Sequence, residues 1–362
     1  MDRVPNRIKL LGFDNWFQDK IELADFKGLD VSRVMAVHKD SYIVNNGEND
    51  VFAELIGKML FCAASPIELP AVGDWVLASF YDKGTFSIIH DVLPRKSLLK
   101  RKTPGKKIDF QLIAANIDFA FIVQSLDTNF SVRRLERYLV MVKESNIEPI
   151  VLLSKSDLLS PKGIENRVIE IQEIMPSLRV HPFSNKNESD LKSIKNLLVP
   201  RKTYCLLGSS GVGKTTLLNN LMGSATFKTM DVRKKDNKGR HATTHRQLIN
   251  LECGAMLIDT PGMRELGIFS VETGIDEAFA EIVELSKQCR FDDCTHINEK
   301  GCAVLSAVKN GKLPEKRYQN YIKMKNESIY NEMSYFEKRK KDKQFGKLCK
   351  TVMKHKKIVD RS

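Results

Sequence analysis

The feature that most narrows the folds open to this chain is one octapeptide. Gly208-Ser209-Ser210-Gly211-Val212-Gly213-Lys214-Thr215 lies between an apolar run (TYCLLG) and a helix-forming run (KTTLLNNLMG). It fits G-x-x-x-x-G-K-[ST] in full, in the strand–loop–helix context that the pattern requires. The glycines let successive backbone N–H groups curl around phosphate oxygens, and the helix that follows adds the positive end of its dipole. Lys214 is expected to reach the β- and γ-phosphates and Thr215 to ligate Mg²⁺, with Thr216 closing the nucleotide-binding stretch. The surrounding chain alternates in the same style. IDFAFIVQSL, EPIVLLS, LRVHPFS, RQLINL and AMLID read as strands. SVRRLERYLVMVKESN reads as a helix with Leu135, Tyr138, Leu139 and Val142 on one face and Ser131 as its N-cap, and another helix is expected near 161–175. Strands alternating with helices imply a mostly parallel sheet covered on both faces.

Three further motifs bear on the base and the metal. Asp259-Thr260-Pro261-Gly262 ends the strand AMLID, where the Asp suits Mg²⁺ and the Gly262 N–H suits a γ-phosphate. This D-T-P-G form looks like a GTPase switch. Before it, Gly239-Arg240-His241-Ala242-Thr243-Thr244-His245 supplies a threonine able to close over Mg²⁺, Thr244 being favoured over Thr243. Ser154-Lys155-Ser156-Asp157 ends EPIVLLS and matches the guanine-reading N/T-K-x-D, with Ser in the first place. Asp157 would accept from guanine N1–H and its exocyclic amine, a pair adenine cannot supply. The Lys155 stem would stack on the base, and Ser154, being short, is expected to lose a tie to the phosphate loop. Ser184, in Ser184-Asn185-Lys186, offers a backbone contact to the guanine oxygen.

The base-reading motif precedes the phosphate loop, the reverse of the ordinary order. A sheet that binds nucleotide at its carboxyl strand ends tolerates that order if the strands still assemble. A circularly permuted GTPase domain follows, with its switch segments near its C-terminal end. A Gln commonly orients water just after D-x-x-G; here the position holds Met263, whose thioether cannot. His241 and His245, in the preceding switch segment, are the nearest candidates for that role.

With 362 residues, two or three domains are expected. The segment 30–92 is rich in short Val/Ile/Phe/Trp runs (RVMAVHKDSYIVNN, DVFAELIGKMLF, GDWVLASF, TFSIIHDVL) broken by turn residues. A five-stranded OB-type barrel fits that length, and an SH3-like barrel fits nearly as well. After about 275 the chain reads as helical. There Cys289, Cys294, His296 and Cys302 offer three thiolates and an imidazole, a donor set suited to one tetrahedral, structural Zn²⁺. The expected architecture is multidomain: residues 1–105 an N-terminal extension plus OB-like β-barrel, 106–275 the permuted α/β GTPase, 276–362 a helical zinc-binding domain with a basic tail.

The net charge of +13 is concentrated in two blocks. Residues 311–362 carry 16 Lys/Arg against 6 Asp/Glu, and residues 93–107 carry 7 basic residues and no acid. Such blocks meet phosphate, in nucleic acid or at an anionic membrane. No apolar stretch is long enough to span a bilayer, no signal peptide is recognisable, and the tail lacks an apolar face with aromatic anchors. A cytoplasmic protein with no membrane partner is expected. Seven cysteines in 362 residues are too sparse for a disulfide scaffold.

Taken together, SKSD, GSSGVGKTT, GRHATTH, DTPG and the knuckle FDDCTHINEKGCAV resemble the bacterial small-subunit-dependent GTPase family RsgA/YjeQ. The resemblance spans roughly residues 30–350. Departures are Ser154, Ala242 where the family usually has Thr, and the extension before the barrel. It implies a monomeric GTPase that binds GTP/GDP and docks on the 30S ribosomal subunit late in maturation, with barrel and zinc domain on 16S rRNA. Hydrolysis would be slow alone and stimulated by the subunit, with His241, matching the family's G-R-H-x-T-T, as the candidate catalytic residue that positions water. An RNA-binding assembly module with a weakened nucleotide site is the alternative, and a membrane-associated GTPase a more distant one.

Overall fold

A computed structural model of the chain describes residues 5–21, 28–39, 41–63, 65–102, 110–223, 246–258, 271–333 and 337. Two short helices, α1 (Asn6–Leu10) and α2 (Asn15–Ile21), precede the first strand. They bring Ile8, Leu11, Phe13 and Phe17 onto the fully buried Trp75, Phe13 meeting it edge-on at 4.9 Å between ring centroids. The N-terminal extension thus completes a core that the barrel alone would leave open to water.

The barrel comprises β1 (Asp30–Val37), β2 (Tyr42–Asn45), β3 (Asp50–Leu55), β4 (Trp75–Tyr81) and β5 (Phe86–Val92). Its order is β1-β2-β3-β5-β4, closed by β4 returning to β1, with β3 and β5 parallel. That Greek-key closure selects the OB-type barrel over the SH3-like one. The run DVFAELIGKMLF is not one strand. It breaks after Leu55 into helix α3 (Gly57–Cys62), which lays Met59 against the barrel core.

A hairpin, β6 (Leu98–Lys102) with β7 (Phe110–Ala115), leads into the second sheet. The elements there are β8 (Phe119–Ser125), α4 (Val132–Glu144), β9 (Glu148–Ser154), α5 (Pro161–Gln172), β10 (Arg179–Pro182), α6 (Glu188–Lys195), β11 (Thr203–Leu207), α7 (Lys214–Met222), β12 (Arg246–Asn250) and β13 (Met256–Ile258). The order is β10-β9-β8-β11-β13-β12, parallel except for β12. Strands β8, β9 and β11 are buried nearly end to end, as expected of a sheet with helices on both faces. Ser131 caps α4 by accepting the Arg134 N–H, and Leu135, Tyr138, Leu139 and Val142 enter the core as their spacing predicts.

The two sheets share a seam. β1 pairs with β12 at Ala36–Gln247 and Val37–Arg246, so the barrel extends the edge of the nucleotide sheet. At the seam Arg33 is 1% exposed. Its guanidinium lies over Trp75 and donates to Thr203 Oγ1 at 2.8 Å, to the Asn116 and Gly73 carbonyls at 3.3 and 3.4 Å, and to the Leu11 carbonyl. Burial lowers its pKa to about 10. A buried cation is tolerated only when its donors are spent, and here they tie the extension, barrel and nucleotide sheet together.

Beyond these lie α8 (Glu272–Ala278), α9 (Ala280–Ser286), α10 (Ala303–Lys309) and α11 (Glu315–Glu332). Their core gathers Phe279, Ile282, Val304, Tyr321 and Met324, together with Val140 from α4. Arg317 fastens this unit to the nucleotide sheet. It pairs with the buried Glu136 of α4 at 2.6 Å, with Glu281, and with the Ala278 carbonyl at 2.8 Å, while Asn320 takes the other Glu136 oxygen. Among the described residues no helix is long and apolar enough to cross a membrane.

Candidate nucleotide site and metal centre

Strands β9 and β11 flank β8 and run parallel to it, so the loops leaving all three emerge on one sheet edge. The phosphate loop follows β11. Gly208 has φ +146°, and a Cβ there would sit 2.4 Å from the Val123 carbonyl oxygen, so only glycine fits. Val212 is buried in the core and anchors the loop. Gly213, at φ +93°, is the N-cap of α7 and provides no side chain to its first N–H groups. The positive end of the α7 dipole faces the loop, with Thr215 exposed and Thr216 half-buried on the first turn. Ser209 and Ser210 form the loop's outer rim. Lys214 folds over it, its ammonium on the Gly208 and Ser209 carbonyls at 2.8 and 2.7 Å.

The base-reading loop follows β9. Ser154 is buried, and its hydroxyl donates to the Val212 carbonyl at 2.6 Å, closer than the 3.3 Å to the Gln124 carbonyl. The sequence expectation that serine loses the tie to the phosphate loop is corrected: β9 ends close enough to that loop for a two-atom side chain to span the gap. Lys155 adopts φ +60° and pairs with Asp127 at 2.7 Å. Ser156 opens a short 3₁₀ turn, its N–H on the Phe183 carbonyl at 3.2 Å. Asp157 accepts from the Ser184 hydroxyl at 2.8 Å and from Lys186 at 2.9 Å. Those bonds, the Lys186 one foremost, hold its carboxyl below the usual carboxylate range. The loop after β10 is thereby drawn onto the base-reading loop, and Ser184 is fixed in turn by Asp190, which accepts its N–H at 2.8 Å.

Sequence reasoning missed Asp127 and Asn129. Both follow β8, the strand between the two loops, and carboxyl strand ends at the middle of a parallel sheet are where ligands bind. Partial burial alone would raise the Asp127 carboxyl, but hydrogen bonds from Lys155, Ser125 and the Asn129 N–H outweigh it and hold it at about 2. Asn129 Nδ2 reaches Ser209 Oγ at 3.2 Å, a third link between the loops. His241, Ala242, Thr243, Thr244, His245, Asp259, Gly262 and Met263 lie outside the described residues.

The described start of the first basic segment is less open than its charge suggested. Arg95 is an internal strut, bidentate to the buried Asp74 at 2.8 and 2.7 Å and donating to the Ile67 and Leu69 carbonyls. Lys96 pairs with Asp14. Residues 103–109 and 338–362 lie outside the described residues.

Cys289, Cys294, His296 and Cys302 bring their ligand atoms within 4.8 Å of one another. Cys289 Sγ and Cys302 Sγ stand 3.8 Å apart, and His296 Nδ1 lies 3.6 and 3.5 Å from them. A tetrahedral ion with bonds of about 2.3 Å to sulfur and about 2.05 Å to nitrogen needs S···S edges of about 3.8 Å and S···N edges of about 3.5 Å. The three edges among Cys289, His296 and Cys302 fit, and Cys294 Sγ lies within 4.8 Å of each. The imidazole is kept neutral, and so ready to ligate, chiefly by burial, with Lys325 adding to the effect. Cys302 is also the N-cap of α10, its sulfur accepting the Leu305 N–H at 3.4 Å. Two supports were not anticipated. Glu299 accepts the N–H groups of Thr295, Ile297 and Asn298, and Tyr318 donates to the His296 carbonyl at 2.7 Å. The group can hold one metal ion in a closed, four-ligand shell.

The sequence model of the RsgA GTPase family matches residues 92–269. Small ribosomal subunit biogenesis GTPase RsgA 2 of Vibrio vulnificus is 38% identical over 352 residues, covering 97% of each chain. Small ribosomal subunit biogenesis GTPase RsgA 1 of Bacteroides thetaiotaomicron is 39% identical over 360 residues, 98% of this chain and 99% of that one. The crystal structure of YjeQ from Thermotoga maritima superposes with a TM-score of 0.62 at 27% identity, over 83% of this chain and 99% of that one. YloQ, described as a circularly permuted GTPase, gives 0.60 at 24% identity over 83% and 96%, a likeness of fold.

Proposed function

The chain belongs to the RsgA GTPase family and is a GTP-hydrolysing enzyme, and from that premise we propose that it hydrolyses GTP on the small ribosomal subunit, as a checkpoint late in that particle's assembly. The observation that carries this reading is the meeting of the Asp157 loop and the phosphate loop on one sheet edge, tied by Ser154 to Val212. It argues against a decayed nucleotide site. The curated relatives are named for small-subunit biogenesis over nearly the full chain.

In this account the N–H groups of residues 208–216 and the α7 N-terminus hold the phosphates. Lys214 leaves its own loop carbonyls for the β- and γ-phosphates, and the Gly262 N–H meets the γ-phosphate. Asp157 exchanges Lys186 for guanine N1–H and the exocyclic amine, and Lys155, steadied by Asp127, lines the base. Thr215, Thr244 and Asp259 are the residues to hold Mg²⁺, which when bound neutralises charge between the β- and γ-phosphates. His241 positions the attacking water in place of the Gln that Met263 lacks. Residues 1–105, 106–275 and 276–362 act as three domains, the last organised by one structural Zn²⁺ on Cys289, Cys294, His296 and Cys302. Barrel and zinc domain contact 16S rRNA, and the protein works as a cytoplasmic monomer away from membranes. Cosedimentation with 30S subunits tests the reading. Binding is expected with a non-hydrolysable GTP analogue, lost with GDP and weakened steeply by salt; equal binding in every nucleotide state contradicts it.

A further inference from the structure

We propose that Asn185 is a positioning residue that locks the base-reading side of the site to the phosphate loop. The inference rests on the nucleotide site described above and assigns a residue to it. Ser184 holds Asp157, and the side chain of the next residue reaches the phosphate loop. Asn185 Nδ2 donates to the Gly213 carbonyl at 3.3 Å, the same oxygen that accepts the Leu217 N–H at 2.9 Å and so starts α7. The amide packs directly on that glycine, since a Cβ at Gly213 would fall 2.8 Å from Asn185 Nδ2. The glycine at this place in the loop therefore serves the approach of Asn185 as well as its own positive φ.

A second amide sets the orientation of the first. Asn220 lies seven residues after Gly213, two turns along the same face of α7. Its Nδ2 donates to Asn185 Oδ1 at 3.2 Å and to the Asn185 carbonyl at 3.4 Å. With Oδ1 accepting from Asn220, the Nδ2 end of Asn185 is the end left to face Gly213. The chain Asn220–Asn185–Gly213 then runs beside Ser154–Val212, and the two ties grip successive carbonyls of the phosphate loop. Asp157, the base loop and the start of α7 move as one body. Asn185 acts through the loop, so its loss is felt as faster release of the whole nucleotide.

The test is the dissociation rate of a fluorescent GDP from the full chain, measured by stopped flow. Asn185→Ala is expected to speed release about tenfold and Asn220→Ala about threefold, in line with one neutral hydrogen bond or part of one. The double variant releases no faster than Asn185→Ala, because Asn220 works only through Asn185. The nucleotide-free chain is expected to melt at most a few degrees lower in all three, the size of one lost hydrogen bond. Release within twofold of wild type in Asn185→Ala overturns the proposal. So does a double variant whose effect is the product of the singles, or a lowered nucleotide-free melting temperature that accounts for the loss. A wild-type chain that fails to bind GDP at all would instead sink the nucleotide-site reading.

Discussion

The Ser154 hydroxyl donates to the Val212 carbonyl at 2.6 Å, so the residue by which this chain departs from its family's base-reading pattern still fastens that loop to the phosphate loop. Removing the hydroxyl leaves a buried carbonyl without its partner, a loss of about 1–3 kcal/mol. Ser154→Ala is expected to weaken GDP binding by about tenfold to a hundredfold, read by titration calorimetry. Affinity within twofold of wild type would show that the tie has no bearing on the nucleotide.

Gly208 is the loop position least able to change. Alanine there would need a Cβ 2.4 Å from the Val123 carbonyl oxygen at a φ of +146°. Strain of about 1–3 kcal/mol, with the clash added to it, pushes the loop off β11. Gly208→Ala is expected to abolish GDP-dependent thermal stabilisation. A thermal shift with GDP equal to that of wild type contradicts this.

The phosphate loop, base-reading motif and cysteine cluster were legible in the sequence because each is contiguous and its chemistry demands fixed residue types. Strand alternation likewise gave the parallel sheet, and the reversed motif order gave the permutation. The barrel was expected to be OB-type and its strand order bears that out, but composition alone left an SH3-like barrel nearly as good a fit, because the two differ in pairing order. Arg33, Arg317 and Asp127, and the role of the Asn185 side chain, were missed for a common reason. Each makes a decisive contact with a residue far off in sequence, as Arg33 does with Thr203, Arg317 with Glu136, Asp127 with Lys155 and Asn185 with Gly213. Ser154 was misjudged because a side chain's reach says nothing until the distance to be spanned is known.

The cysteine cluster predicts a metal whose removal is felt locally. Cys302 caps α10 and is one of the four residues able to hold a metal ion, so under the zinc proposal Cys302→Ser combined with chelation is expected to unfold the α9–α10 connection and release one zinc per chain. Hydrogen exchange is expected to rise across 289–309 and stay low in β8 and β11, which belong to a separate core. Elemental analysis finding no zinc in the purified chain, or exchange rising equally in β8, would contradict the assignment.

Asp127 gives the site a defined response to acid. Its folded value of about 2 lies below the ordinary aspartate range, so the Lys155 pair stabilises the fold above that range. The contribution fades as pH falls through about 2. Asp127→Asn is therefore expected to lower the urea midpoint at neutral pH, with the gap to wild type closing in strong acid. A gap that is constant with pH would show that the carboxylate's charge is irrelevant.

GTP turnover by the full chain, with and without purified 30S subunits, tests the central claim most directly. The account predicts slow hydrolysis alone, stimulation by an order of magnitude or more on adding subunits, and loss of both in Lys214→Ala. Turnover that is indistinguishable from Lys214→Ala in the presence of subunits would contradict it.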